Sequence, residues 1–567
     1  MLTLMGVHSY WALFAAGPLD EDATFVQNQQ RRDARNRRIE ERGLRGWIFD
    51  RHQDVATSLA GYRLNRDDML RIYMLGEDAV HVVGYASLLR GSAGAEYAYA
   101  NRLRSSLSSW NPLSRKDVVG EDVKLTLDRG LQQVAAAELR RVGKPGAVVV
   151  IHVQSGDVLA MASFPTFDPN RIEVDAVWNQ LRNDGSQPFV NRALNKYYLP
   201  GSTYKVIVAA SALGQGWTNP KFICSAQGYR PTPSSQPIYD DQGPSEVHGR
   251  IGLAEALRVS CNQYFAQLGV KLEYQQLAKT AEQFGFHVDE TPEQARERRF
   301  SGELWSNQEA SFQRVYSPHA SRLVLSRRTT LVDLAFESYG QGFVQVTPLH
   351  MALVAAAIAN GGQMMTARVD YYYQPQQVRR TLSAMDAESL RAMMVAVTEH
   401  PSGTAYRAFS GLRANGIYTA GKTGTAQFTL AENPRVDSWF IGFAPADQPQ
   451  IAYAVVVEGG GYGAETAAPM AAAVVEAAHR AGFLEAPRKN SHQATKAQSM
   501  IEDRRSRIEN RRSISITAIL YPLCSILGPL YVAPTKMRSR GGSSIMVEHI
   551  SLKRGRKSYA QRQRLSR

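Results

Sequence analysis

Leu199-Pro200-Gly201-Ser202-Thr203-Tyr204-Lys205 is the stretch on which the reading of this chain turns. Pro200 and Gly201 break the backbone just ahead of an apolar, helix-forming run, residues 206–213. Ser202 is therefore expected at or near a helix N-terminus, where unpaired N–H groups and the positive end of the dipole favour developing negative charge. Three residues make about one helical turn, so Ser202 and Lys205 share a face. A serine hydroxyl is a weak nucleophile until a base takes its proton. A lysine serves as that base only when neutral, and its unperturbed pKa is about 10.4. Burial or a second cation must lower it. Ser-x-x-Lys alone is weak, since a chain this long carries about two by chance.

Two further stretches raise its weight. Val259-Ser260-Cys261-Asn262-Gln263 holds Ser-x-Asn, and Ala420-Gly421-Lys422-Thr423-Gly424-Thr425-Ala426 holds Lys-Thr-Gly-Thr. The order Ser-x-x-Lys, Ser-x-Asn, Lys-Thr-Gly resembles that of the penicillin-recognising serine acyl-transferases. Cys261 stands where that set often has Asp, so only the flanking Ser260 and Asn262 carry over. Lys422 supplies the second cation.

Length and charge bound the rest. At 567 residues the chain has room for two or more domains. The formal charge of +14 suggests nucleic acid, but its location does not. Residues 486–567 carry 18 Lys and Arg against 4 Asp and Glu, which accounts for all of it. The remainder is formally neutral, so no nucleic-acid partner is expected.

Residues 1–18 are mostly apolar but short of the roughly 20 needed to cross a bilayer, and no Lys or Arg precedes them. They are expected to be the outer part of an N-terminal membrane anchor. Residues 19–120 follow as a non-catalytic pedestal domain, beginning with an Arg-rich stalk. Within it Arg45-Gly46-Trp47-Ile48-Phe49-Asp50-Arg51 and the stretch Tyr85 to Glu96 resemble elements of the class B penicillin-binding proteins. Residues 101–119 read as a connector.

The catalytic domain is expected over 121–487. Residues 122–128 alternate like a strand, 129–141 like a helix, and 147–153 with 158–163 like a hairpin. Asp168, after that hairpin, reads as a turn or cap residue. Residues 287–330 are charged and suggest a surface insertion. Ser338-Tyr339-Gly340-Gln341-Gly342 and Ser402-Gly403-Thr404-Ala405 again resemble family elements, and residues 351–362 are apolar all round, as a core helix is. Residues 416–428, 436–443 and 450–457 read as an antiparallel meander, covered by an Ala-rich helix over 464–481. Cys224 and Cys261 flank one loop in a body otherwise free of cysteine; they are expected either to form a disulfide or to remain as two thiols. The basic tail, 488–567, reads as a disordered or spurious extension, although its apolar run 513–533 is long enough to span a bilayer.

Residues 45–485 thus resemble a class B penicillin-binding protein, a peptidoglycan D,D-transpeptidase of division or elongation. The resemblance implies an α/β (α+β) fold, with a central antiparallel sheet flanked by helices on an elongated pedestal. It implies Ser202 as nucleophile, Lys205 as base, Ser260 and Asn262 as proton relay and holder, and Lys422 as the neighbouring cation. Thr423, with Lys422, would bind the terminal carboxylate. Gly424 would let the ligand approach, and the N–H groups of Ser202 and Thr425 would form the oxyanion hole. The substrates implied are peptidoglycan stem peptides on a lipid-linked precursor, with β-lactams as covalent inhibitors. The implied setting is the outer face of the cell membrane, beside a membrane glycosyltransferase of the division or rod-shape type. No metal or cofactor is expected. A β-lactamase or β-lactam sensor would share the three motifs, and a catalytically dead scaffold is the other alternative.

Overall fold

The computed structural model describes residues 43–65, 68–104, 118–291, 293–294, 302–428 and 435–484. The expected anchor, stalk and basic tail, with its run 513–533, lie outside the described residues, as does most of the connector. Among the described residues no helix is long and apolar enough to cross a membrane.

The catalytic domain is built on five antiparallel strands. They are β1 (Gly146–His152), β2 (Val158–Phe164), β3 (Ala420–Phe428), β4 (Arg435–Ala444) and β5 (Ile451–Val457), in the order β2-β1-β5-β4-β3. The first two are the expected hairpin and the last three the expected meander. β5 pairs with β1 to join them, Val455 lying opposite Val148. β3 forms one edge.

Both faces of this sheet are covered, so its strands are apolar on both sides rather than alternating with polar residues. Val148, Val150, Phe440, Tyr453 and Val455 pack on one face, with α1 (Arg129–Val142) and, late in the chain, the helix Ala467–Arg480. Asp128 caps α1 by accepting from Leu131 N–H. Val149, Ile151, Trp439, Ile441 and Ala454 pack on the other. There lie α2 (Lys205–Gly214), α3 (Leu253–Val259), α4 (Asn262–Gln283), α5 (Leu331–Glu337) and α6 (Pro348–Ala359). Every residue of α6 is buried, as its unbroken apolar sequence requires.

The strand expected within 122–128 is Val123–Lys124, which pairs in parallel with Ile48–Phe49 and completes the pedestal's four-stranded sheet. One expectation is corrected: the polar stretch 287–330 is not a surface insertion. Trp305, Phe312 and Tyr316 are fully buried and pack on one another, and Ser311 Oγ donates to Ala98 O in the pedestal. Its aromatic residues are spaced among charges, which hid the apolar face.

In the pedestal the two quoted elements meet. Glu96, fully buried, accepts from Arg45 Nε and Arg71 Nε at 2.8 Å, and these guanidiniums hold its pKa down against the cost of burial. Asp168 caps a short 3-10 turn by accepting from Asn170 N–H, the turn role expected of it.

Candidate active site

The three motifs converge at the end of the sheet beside β3. Ser202 sits in a 3-10 turn, Gly201–Tyr204, that leads directly into α2. Gly201 has φ +53°, and a Cβ there would lie 2.5 Å from Thr425 O. Gly424 is as constrained: its Cβ would lie 2.8 Å from Thr203 Cγ2 and 2.9 Å from Pro200 O. The two glycines let β3 close against the nucleophile's turn. Ser260 ends α3 in the left-handed conformation, φ 62° and ψ 33°, which turns the chain sharply before α4.

Lys205 and Lys422 are both fully buried and meet at Ser260. Lys205 Nζ donates to Ser260 O at 2.5 Å, to Asn262 Oδ1 at 2.7 Å and to Ser260 Oγ at 3.3 Å. Lys422 Nζ donates to Ser260 Oγ at 2.8 Å and to Thr423 O at 3.0 Å. Thr423 Oγ1 lies 2.7 Å from Thr404 Oγ1. Ser202, Ser260, Thr423 and Thr425 line one cleft of about 340 Å³, with Asp241, Glu246, Thr404, Tyr462 and Glu465. The structure therefore gathers the expected site residues, Gly424 being placed behind Thr425 against Pro200.

Burial lowers the pKa of both lysines. Lys422 is pushed well below the ordinary range by burial and then by the Lys205 charge. For Lys205 the carboxylates of Asp241 and Asp240 oppose burial. Both shifts run in the direction that favours a free amine, and Lys205 also has anions nearby.

Sequence reasoning quoted Thr404 only as part of a family element, without a place in the site, and missed Asp241 and a buried cluster behind Ser260-Cys261-Asn262. Ligand atoms of Cys224, Asp240, His248 and Cys261 all lie within 4.8 Å of one another. The two cysteines are free thiols, so of the two expected states the structure contains the unpaired one. His248 Nδ1 lies 3.0 Å from Asp240 Oδ2, and that bond raises the histidine to about 9. Asp240 Oδ1 accepts from the N–H of Asn262 and, at 3.1 Å, of Gln263, tying the cluster to the catalytic turn. Two sulfurs, an imidazole and a carboxylate form a donor set that could hold a zinc-like divalent cation. The four residues lie on separate segments with no short-range spacing, so no metal motif was legible.

Comparison with known proteins agrees with this geometry. Residues 146–476 match the family model described as penicillin binding protein transpeptidase domain. The chain is 32% identical to the peptidoglycan D,D-transpeptidase PbpA of Mycolicibacterium smegmatis, over 81% of this chain and 94% of that one. It is 30% identical to the peptidoglycan D,D-transpeptidase MrdA of Acinetobacter baumannii, over 73% and 64%. Among solved structures, penicillin-binding protein A of M. tuberculosis, as a ceftriaxone acyl-enzyme complex, superposes with a TM-score of 0.65 at 28% identity, covering 77% of this chain and 98% of that one.

Proposed function

The chain belongs to the penicillin-binding protein transpeptidase family, and from that premise we infer that it is a serine-type peptidoglycan D,D-transpeptidase that binds β-lactams covalently through Ser202. The observation that carries the reading is Ser260 Oγ, held between two buried lysines that come from the other two motifs.

The roles follow from that arrangement. Ser202 Oγ attacks the penultimate D-Ala carbonyl of a stem peptide, and Lys205, as the free amine, takes its proton. The N–H groups of Ser202 and Thr425 stabilise the tetrahedral oxyanion. As the C–N bond breaks, the leaving D-Ala receives a proton through Ser260, whose hydroxyl both lysines touch. Lys422 and the Thr423 hydroxyl hold the donor's terminal carboxylate. An amine from a second stem peptide then attacks the ester, and its proton returns by the same relay to Ser202. A β-lactam enters as a mimic of the acyl donor and stops at the acyl-enzyme. We propose that the catalytic domain works outside the cytoplasm, at the membrane, where its lipid-linked substrate and a glycosyltransferase partner would meet it. The substrate class supports this placement.

Reconstitution tests the function. The full chain, a peptidoglycan glycosyltransferase and lipid-linked precursor should yield cross-linked muropeptides that penicillin abolishes. Rapid hydrolysis of the penicilloyl-enzyme with no cross-links would favour a β-lactamase instead.

A further inference from the structure

The Gly-Gln-Gly element takes no part in the chemistry above, yet it grips both sides of the expected oxyanion hole. It leaves the C-terminus of α5 and is pinned there. Gly340 N–H donates to Glu337 O at 3.0 Å. The buried Glu337 carboxylate accepts from the N–H groups of Phe343 and, at 3.1 Å, Val344. A Cβ on Gly342 would lie 2.5 Å from Glu337 Cδ.

From this fixed loop two contacts reach forward. Gly340 O accepts from Gly201 N–H at 3.1 Å, one residue before the nucleophile. Gln341 Nε2 donates to Thr425 O at 3.1 Å, and Gln341 Oε1 accepts from Gln427 N–H at 3.2 Å. Because β3 is an edge strand, these groups face no other strand among the described residues, and the primary amide of Gln341 stands in for one peptide unit of a neighbour. In an antiparallel strand both polar groups of a residue point to the same edge. Thr425 N–H therefore faces the edge that Thr425 O does, towards Gly201 and Ser202.

We propose that Gln341 is a positioning residue for acyl transfer, clamping β3 so that Thr425 N–H stands at a fixed place relative to Ser202 N–H. It acts through the β3 backbone and does not touch the reacting atoms. The proposal rests on the transpeptidase reading of Ser202 and adds a residue that the three motifs do not contain.

The test separates non-covalent binding from acylation. Benzylpenicillin is mixed with the full chain, wild type, Q341M and Q341E, and the pre-acylation Kd and the first-order acylation constant are read from the concentration dependence. Methionine fills the same space without either bond, and glutamate loses the donor to Thr425 O. The expected result is a fall of about 10- to 100-fold in the acylation constant, with Kd within about twofold and a cooperative melt retained. An acylation constant within about twofold of wild type in a folded variant would overturn the proposal. So would a rise in Kd that accompanies the fall in the acylation constant, or loss of a cooperative melt in both variants, because the residue would then serve the cleft or the fold at large. Wild type that is not acylated at all would instead overturn the transpeptidase reading.

Discussion

Replacing Lys422 with Met should separate catalysis from stability in opposite directions. Both lysine Nζ atoms lie within 3.3 Å of Ser260 Oγ. Two ammonium groups would then stand no more than about 6 Å apart, repelling by about 3 kcal/mol at an effective dielectric constant of about 20. The pair therefore carries at most one proton over much of the working range, burial lowering both lysines and taking Lys422 well below its ordinary value. The sign for stability follows. Lys422 titrates in the folded protein below its unfolded value of about 10.4. Between the two values the unfolded chain binds more protons, so wild-type stability should rise with pH across that window. Lys422→Met keeps the length of the side chain and removes the buried amine, so the variant should melt at or above the wild-type temperature and lose this pH dependence. Its acylation should fall by about 10²- to 10⁴-fold, the usual scale for a lost proton-transfer group. Fluorescent-penicillin acylation rates and thermal melts, both taken from neutral to alkaline pH, give the two readouts. Acylation within about tenfold of wild type, or wild-type stability that falls with pH over the window, would refute the reasoning.

The remaining predictions concern the frame of the site. Gly201→Ala forces a side chain into the left-handed region and towards Thr425 O, at a cost of about 1–2 kcal/mol for the backbone alone; urea melts should show that loss and acylation should slow at least tenfold. Trp305→Ala should cost about 3–5 kcal/mol by denaturant unfolding, because the ring is buried among Phe312 and Tyr316 rather than on a surface insertion.

What the sequence made legible was local. Ser202 and Lys205 lie one turn apart, and Lys422 to Thr425 sit on a strand whose period is plain, so each motif could be placed on its element. The helix Pro348–Ala359, expected over 351–362, announced itself by lacking any polar face. What stayed hidden depends on contacts distant in sequence. That Lys422 reaches Ser260 rather than only neighbouring Lys205 is a contact across 162 residues. The Cys224, Asp240, His248 and Cys261 cluster draws on a strand, a loop and a helix cap, and thus has no spacing to read. Trp305 and Phe312 were disguised by the Arg and Glu residues between which they are set. Val123–Lys124 alternates as a strand should, but nothing local says that its partner is Ile48–Phe49.

The central claim is that Ser202 carries the acyl group, and one measurement meets it directly: mass spectrometry of the full chain after exposure to benzylpenicillin, intact and after digestion, beside Ser202→Ala. The account predicts a single penicilloyl group on the Ser202 peptide, persisting over many minutes, and none on Ser202→Ala. An adduct on another residue, or no adduct on folded wild type, would contradict it.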